Sequence, residues 1–241
     1  MAEYQNVFKR KEKKYLLTAQ QYQTLLPQLQ EDMTVDEHGL HTICNLYFDT
    51  DRYELIRHSI EKPTYKEKLR LRSYGVPKPG DKVFLELKKK LKGIVYKRRV
   101  SLPLEEAWRY LVHHEQPRKE SQILHEIDWF LQRYQPVPKI YIAYDRLALF
   151  GNEDKNLRIT FDQNILFRES LLDLCKGNWG KPLLKTGNVL MEIKIPGVIP
   201  LWLSRILNER GLYPTSFSKY GNIYKEHLLH QVFPKGGNYC A

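Results

Sequence analysis

The stretch Thr64-Tyr65-Lys66-Glu67-Lys68-Leu69-Arg70-Leu71-Arg72-Ser73-Tyr74 decides how the rest of the chain reads. Successive side chains of a β-strand point to opposite faces. Lys66, Lys68, Arg70 and Arg72 therefore share one face, and Leu69 and Leu71 share the other. The same division recurs along the chain. Glu86 and Lys88 oppose Val83, Leu85 and Leu87; Arg158 and Asp162 oppose Leu157, Ile159 and Phe161; Glu192 and Lys194 oppose Val189, Met191, Ile193 and Ile195. Lys97 and Arg99 lie together on one side of their strand. Alternation of this kind suits either the solvated outer face of an antiparallel sheet or an inward charged face. The strong bias to lysine and arginine, with only isolated carboxylates, favours the second, because an ordinary wet face mixes signs more evenly.

Working outward, strands are expected at 42–49, 64–74, 82–91, 94–102, 139–149, 156–162 and 189–195, with a turn at Val76-Pro-Lys-Pro-Gly80 and a break at Gly93. A helix begins at Thr18 as N-cap, and another opens at Pro103-Leu-Glu-Glu. A third carries Ile123, Ile127, Phe130, Leu131 and Tyr134 on one stripe, and two more lie near 199–211 and 218–232. These helices are enough to cover the apolar face of the strands from outside. The charged face then lines a lumen. The expected fold is α+β, mainly β, in one domain over 1–241, with helices packed outside.

The 241 residues carry 39 Lys and Arg against 28 Asp and Glu, a net charge of +11, which calls for an anionic partner. No apolar run approaches the ~20 residues a membrane-spanning helix needs, and Met1–Lys14 has no apolar stretch behind it. Cys44, Cys175 and Cys240 are odd in number and widely spaced, as expected of reduced thiols in a cytoplasmic protein. The eight histidines show no zinc-ligand spacing.

Like charges crowded in a lumen repel and are costly to desolvate unless an anion compensates them. That anion must be long and narrow, as polyphosphate or the triphosphate of ATP is; duplex nucleic acid is too wide. Glu12, Glu86 and Glu192 stand among these cations. They can hold the basic side chains in place as ion-pair partners, or coordinate Mg²⁺ or Mn²⁺, hard ions that take oxygen ligands.

The pieces Arg10-Lys-Glu12-Lys-Lys14-Tyr15, Tyr47-Phe-Asp-Thr50, Lys68-Leu-Arg70-Leu-Arg72-Ser-Tyr-Gly75, Leu85-Glu86-Leu-Lys88, Tyr144-Asp-Arg146, Leu157-Arg158-Ile-Thr-Phe-Asp162, Leu190-Met-Glu192-Ile-Lys194 and Ser218-Lys219-Tyr220 occur in this order over nearly the whole chain. Together they resemble the VTC catalytic domain, the polyphosphate polymerase branch of the triphosphate tunnel metalloenzymes (CYTH-like), in a free-standing bacterial form. The resemblance implies a closed antiparallel eight-stranded tunnel barrel in which the γ-phosphoryl group of ATP passes to a polyphosphate chain. It implies phosphate contacts from Lys14, Arg70, Arg72, Lys88, Lys97, Arg146, Arg158 and Lys219. Arg10, Lys68, Arg99 and Lys194 stand behind them as secondary phosphate ligands, and Glu192 holds the metal, Mn²⁺ or Mg²⁺, with Glu12 or Glu86 as candidates to join it.

Two positions depart from the family pattern. Arg10 replaces the first glutamate of the Glu-x-Glu-x-Lys found in hydrolytic members, which favours transfer over hydrolysis. Ser216 replaces a lysine that polymerases often carry three residues before Lys219. A triphosphatase on the same scaffold, and a non-catalytic polyphosphate or RNA binder, remain as alternatives. Any membrane partner, placing the protein at the inner face of the membrane, would be a separate polypeptide.

Overall fold

The computed structural model describes residues 7–8, 11–92 and 94–229. In chain order the strands and helices are β1 (Val7–Phe8), β2 (Lys11–Leu17), α1 (Ala19–Asp32), β3 (Met33–Val35), β4 (His41–Asp49), α2 (Glu54–Ile60), β5 (Tyr65–Tyr74), β6 (Lys82–Leu91), β7 (Ile94–Pro103), α3 (Leu104–His113), α4 (Gln122–Tyr134), β8 (Val137–Gly151), β9 (Arg158–Arg168), β10 (Lys181–Pro182), β11 (Val189–Ile195), α5 (Leu201–Glu209) and α6 (Lys219–Ile223). A single π-helical turn, Tyr224–Leu228, continues α6. Thr18 caps α1 as expected: its hydroxyl accepts from the Gln21 amide, and the Gln21 side chain accepts from the Thr18 amide.

All strands form one antiparallel sheet along the path β1-β7-β6-β5-β4-β8-β9-β11-β2, with β3 on β8 and β10 on β9. Eight of them have seven residues or more, matching the eight expected. Closure is a different matter. Hydrogen bonding among the described residues leaves the path open: β1 pairs with β7 at one end and β2 with β11 at the other, and β1 and β2 do not pair with each other.

The sheet nevertheless curls strongly. From β6 to β2 is six strand steps, roughly 29 Å if flat at about 4.8 Å per step. Yet the charges acting on Lys88 of β6 include Glu12 and Lys14 of β2.

The apolar face of the sheet carries two cores. Leu69, Leu71, Val83, Leu85 and Leu87 pack against Ala107, Tyr110 and Leu111 of α3 and Leu124, Ile127 and Phe130 of α4. Tyr15, Ile159, Phe161, Met191 and Ile193 pack against Leu25 and Leu29 of α1 and Leu203 and Leu207 of α5. Each such leucine, taken fully out of water, contributes about 1.5–3 kcal/mol.

One expectation needs correcting: not every helix lies outside. Ile43, Ile140, Ile142 and Leu190 belong to the charged face by register and pack against Ile56 of α2 and Tyr220 and Ile223 of α6. The register of β8 with β9 shifts between Ala143 and Asp145, and Asn164 adopts a positive φ of 48°. This bulge puts Ile165 and Phe167 on the same side as Asp162, so one end of the charged face becomes apolar. α2 and α6 fill that end. Neither the bulge nor α2 is visible as a periodic signal in the sequence.

Candidate phosphate-binding site

The cations of the charged face gather around three carboxylates. Glu86 of β6, 2% exposed, faces Arg70 of β5 and Arg99 of β7 across the ladder. Arg70 donates to its Oε2 from Nε at 2.7 Å and Nη2 at 2.5 Å, and Arg99 donates from Nε to Oε1 at 2.6 Å. Lys97 Nζ lies 3.0 Å from Oε1 and Arg72 Nη1 3.8 Å from Oε2. Burial alone would raise the Glu86 pKa, but Arg70, Arg72, Lys97 and Arg99 outweigh it and hold the carboxyl well below its usual range. Glu86 therefore fixes four cations with both oxygens occupied.

Asp162 of β9, fully buried, is the second hub. Arg146 of β8 grips it with two parallel hydrogen bonds of 2.6 and 2.7 Å, and Lys219 at the start of α6 donates to Oδ2 at 2.5 Å. Lys219 also sits over the Tyr144 ring, 4.4 Å from its centroid. Burial favours the neutral acid, but Lys219 and Arg146 keep the Asp162 pKa below normal.

Glu192 of β11 is the third, and it is held more loosely. Lys14 Nζ lies 3.5 Å from one of its oxygens and Lys194 Nζ 3.4 Å from the other. Lys14 also approaches Glu12 at 3.3 Å and donates to the Phe217 carbonyl at 3.0 Å. Against burial, Lys194, Lys219, Lys14 and Arg146 hold Glu192 well below the ordinary carboxylate range. Beside it in register, the Thr160 hydroxyl is buried without a hydrogen-bond partner among the described residues.

The remaining lysines behave differently. Lys68 and Lys88 face each other across β5 and β6, and neither makes a hydrogen bond or ion pair to another described residue. Enclosure lowers the Lys68 pKa to about 8, with Lys66, Lys88 and Lys14 adding to the effect against the phenol of Tyr47. Lys97 is likewise pushed down to about 8 by burial despite Glu86. Lys88 is accessible to solvent and still has a lowered pKa, first through desolvation. Accessible to water yet surrounded by protein is the condition of a group lining a wet channel.

The structure thus brings Lys14, Lys68, Arg70, Arg72, Lys88, Lys97, Arg99, Arg146, Lys194 and Lys219 onto one face with Glu12, Glu86 and Glu192. Arg158 shares that face by register but pairs with Asp36 at 3.7 Å and stacks on Phe150. Arg10 lies outside the described residues. Sequence reading passed over several polar members. Asn45 accepts from Arg72 Nε at 2.8 Å, Tyr47 accepts from Arg70 at 2.9 Å, and Tyr144 accepts from Arg72 at 3.2 Å. The signal was present for two of them, since Asn45 and Tyr47 alternate with Cys44, Leu46 and Phe48. Asp162 was placed on the charged face but not seen as its anchor.

Similarity to known proteins agrees with this geometry. The VTC domain family model matches residues 9–227, and the chain belongs to that family. A candidate adenylate cyclase from Bacillus halodurans superposes with a TM-score of 0.56 at 16% identity, over 89% of this chain and 96% of that one. A candidate adenylyl cyclase from Hippeastrum, described as having a dominant triphosphatase activity, gives 0.53 at 17% identity, over 89% and 94%. At such identities the likeness is one of fold. No curated protein matches the chain in sequence. No helix among the described residues is long and apolar enough to cross a membrane.

Proposed function

We propose that this protein is a metal-dependent phosphotransferase that moves the γ-phosphoryl group of ATP onto a polyphosphate chain held in a closed, basic tunnel. The observation that carries this reading is the convergence of cations on one face, two of which, Lys68 and Lys88, make no hydrogen bond or ion pair to another described residue. In the transfer, a terminal oxygen of the acceptor chain bonds to the γ-phosphorus, the bond from γ-phosphorus to the bridging oxygen breaks, and ADP departs with the electron pair. Such a reaction needs positioning and neutralisation of charge on the equatorial oxygens, with no covalent nucleophile. Arg70, Arg72 and Arg99, fixed by Glu86, and Arg146 and Lys219, fixed by Asp162, present rigid donors. Lys14, Lys68 and Lys88 supply mobile ones.

Among the described residues no three metal-ligating side chains of the His, Cys, Asp and Glu types cluster together. A magnesium-like ion is commonly held by one or two carboxylates together with substrate phosphates and water. Glu192 and Glu12 fit that pattern: both are ionised, both are held only at ion-pair distances, and the unpartnered Thr160 hydroxyl lies beside Glu192. Glu86, with both oxygens taken, is better suited to organising arginines. The metal, when bound, neutralises phosphate charge.

A second reading, hydrolysis of a triphosphate on the same fold, is favoured by one observation. α2 and α6 fill one end of the charged face, so a growing chain could leave that way only if they moved aside. Incubation with ATP and Mn²⁺ separates the readings. Long-chain polyphosphate with matching ADP supports transfer, free phosphate without polymer supports hydrolysis, and no turnover overturns both.

A further inference from the structure

Beyond the Glu86 cluster, the charged face of β5 and β6 carries rings before it reaches the exposed Lys82. Phe84 of β6 and Tyr74 of β5 lie on the charged face by alternation, each two residues beyond a member of the Glu86 cluster. They meet edge to face with centroids 5.6 Å apart. His41 of β4 approaches Tyr74 at 5.9 Å, and His38 approaches His41 at 5.9 Å. The Arg99 guanidinium lies 4.6 Å from the Phe84 centroid and donates to the Tyr74 hydroxyl at 3.1 Å. Arg99 is also a donor to Glu86, so it joins the ring strip directly to the carboxylate-pinned arginines.

Core packing does not account for this strip. Tyr74 remains 49% exposed, and Phe84 and His41 are only partly covered. None of Tyr74, Phe84 and His41 belongs to the three apolar cores. A strand advances about 3.3 Å per residue, so Phe84 lies roughly 7 Å along the strand from Glu86. That offset is of the order of the ribose that separates a nucleobase from its α-phosphate.

From this placement we propose that the strip formed by Phe84, Tyr74 and His41 is a stacking platform for the base of a nucleoside triphosphate, so that the channel is selective for nucleotides over inorganic triphosphate at its open rim. The inference rests on the phosphate-binding reading of the channel. Base-aromatic stacking tolerates any base, because every base offers a π-face. The platform therefore selects nucleotides as a class, and it discriminates little between adenine and guanine. Arg99 has two partners there, contacting phosphate on one side and bracing the rings on the other.

The test compares ATP with inorganic tripolyphosphate, each titrated with Mg²⁺ into the wild type and into Tyr74→Ala and Phe84→Ala. The expected result is weaker ATP binding by about 5- to 150-fold per ring removed, from a stacking contribution of about 1–3 kcal/mol, with tripolyphosphate affinity changed less than twofold. Tyr74→Phe, which keeps the ring, should retain ATP binding. Equal loss for both ligands, or no loss for ATP, would overturn the platform while leaving the phosphate channel standing. Failure of the wild type to bind tripolyphosphate would instead overturn the channel itself. Near-equal weakening of ATP and GTP in both variants supports stacking, and loss confined to ATP contradicts it.

Discussion

The arginines and the lysines of the charged face live under opposite regimes. Arg70, Arg72, Arg99 and Arg146 each touch a buried carboxylate, and Arg70, Arg99 and Arg146 have pKa values raised above the ordinary guanidinium value. Burial works against their charge, and neighbouring phenols, Glu86 and Asp162 restore it. Lys68 and Lys88, two residues along the same strands from Arg70 and Glu86, have no carboxylate contact among the described residues, and their pKa values fall. On the proposed function, the difference means that this face is partly assembled in advance and partly left in want of an anion. Arginine suits the first task because its planar fork binds a carboxylate bidentately and stays charged. Lysine suits the second, as a compact charge that moves to meet a phosphate.

The comparison breaks most visibly at the hubs. Glu86→Gln leaves four cations around a neutral group, and losing one partner of a buried ion pair costs about 3–5 kcal/mol. Thermal or urea denaturation should show a large loss of stability, and an unaltered midpoint would mean the cluster is not formed. Lys88→Ala sits at the other extreme. Turnover with ATP should fall by about 10²–10³, the usual cost of removing a donor aimed at developing charge, with the melting midpoint unchanged. Equal stability losses in Glu86→Gln and Lys88→Ala would erase the distinction between pinned and waiting cations.

A subtler break lies in pH. Lys68 and Lys97 have folded-state values of about 8, below the ~10.4 of a free lysine. Below pH 8 both are charged in folded and unfolded chains alike, and burying that charge destabilises the fold. Between pH 8 and about 10.4 the unfolded chain binds more protons, so stability from this source rises with pH. Anion binding runs the other way. Affinity for tripolyphosphate should weaken above pH 8, by up to about tenfold per pH unit for each lysine that must be protonated. A flat affinity between pH 7 and 9.5 would remove the lysines from the site. The smallest effect concerns Lys68→Met, which removes an uncompensated, half-buried charge: the midpoint should rise by a few degrees at pH 7 while tripolyphosphate binding weakens. A lowered midpoint would show that Lys68 has a partner in the free protein.

Much of the charged face was legible because β-sheet alternation is strict. Lys66 to Arg72, Glu86 and Lys88, and Glu192 and Lys194 needed only a period of two to fall on one side, and the leucines between them pointed to helices on the other. The end filled by α2 and α6 was not legible, since it depends on the bulge at Asn164 and on isoleucines that read as ordinary core. Asp162 illustrates a different limit. Its side of the sheet followed from Arg158 and Ile159, but its role depends on Lys219, 57 residues further on in the chain, and no local pattern links the two. The aromatic rim escaped notice for the same reason, as Phe84, Tyr74 and His41 come from three strands.

The most direct test of the waiting lysines is calorimetry of tripolyphosphate binding at pH 8.5, run in two buffers of different ionisation enthalpy. Lysines titrating near 8 must gain protons when phosphate arrives, so the wild type should take up protons on binding and Lys68→Met should take up fewer. Binding with no proton uptake in the wild type, or uptake undiminished in Lys68→Met, would contradict the account.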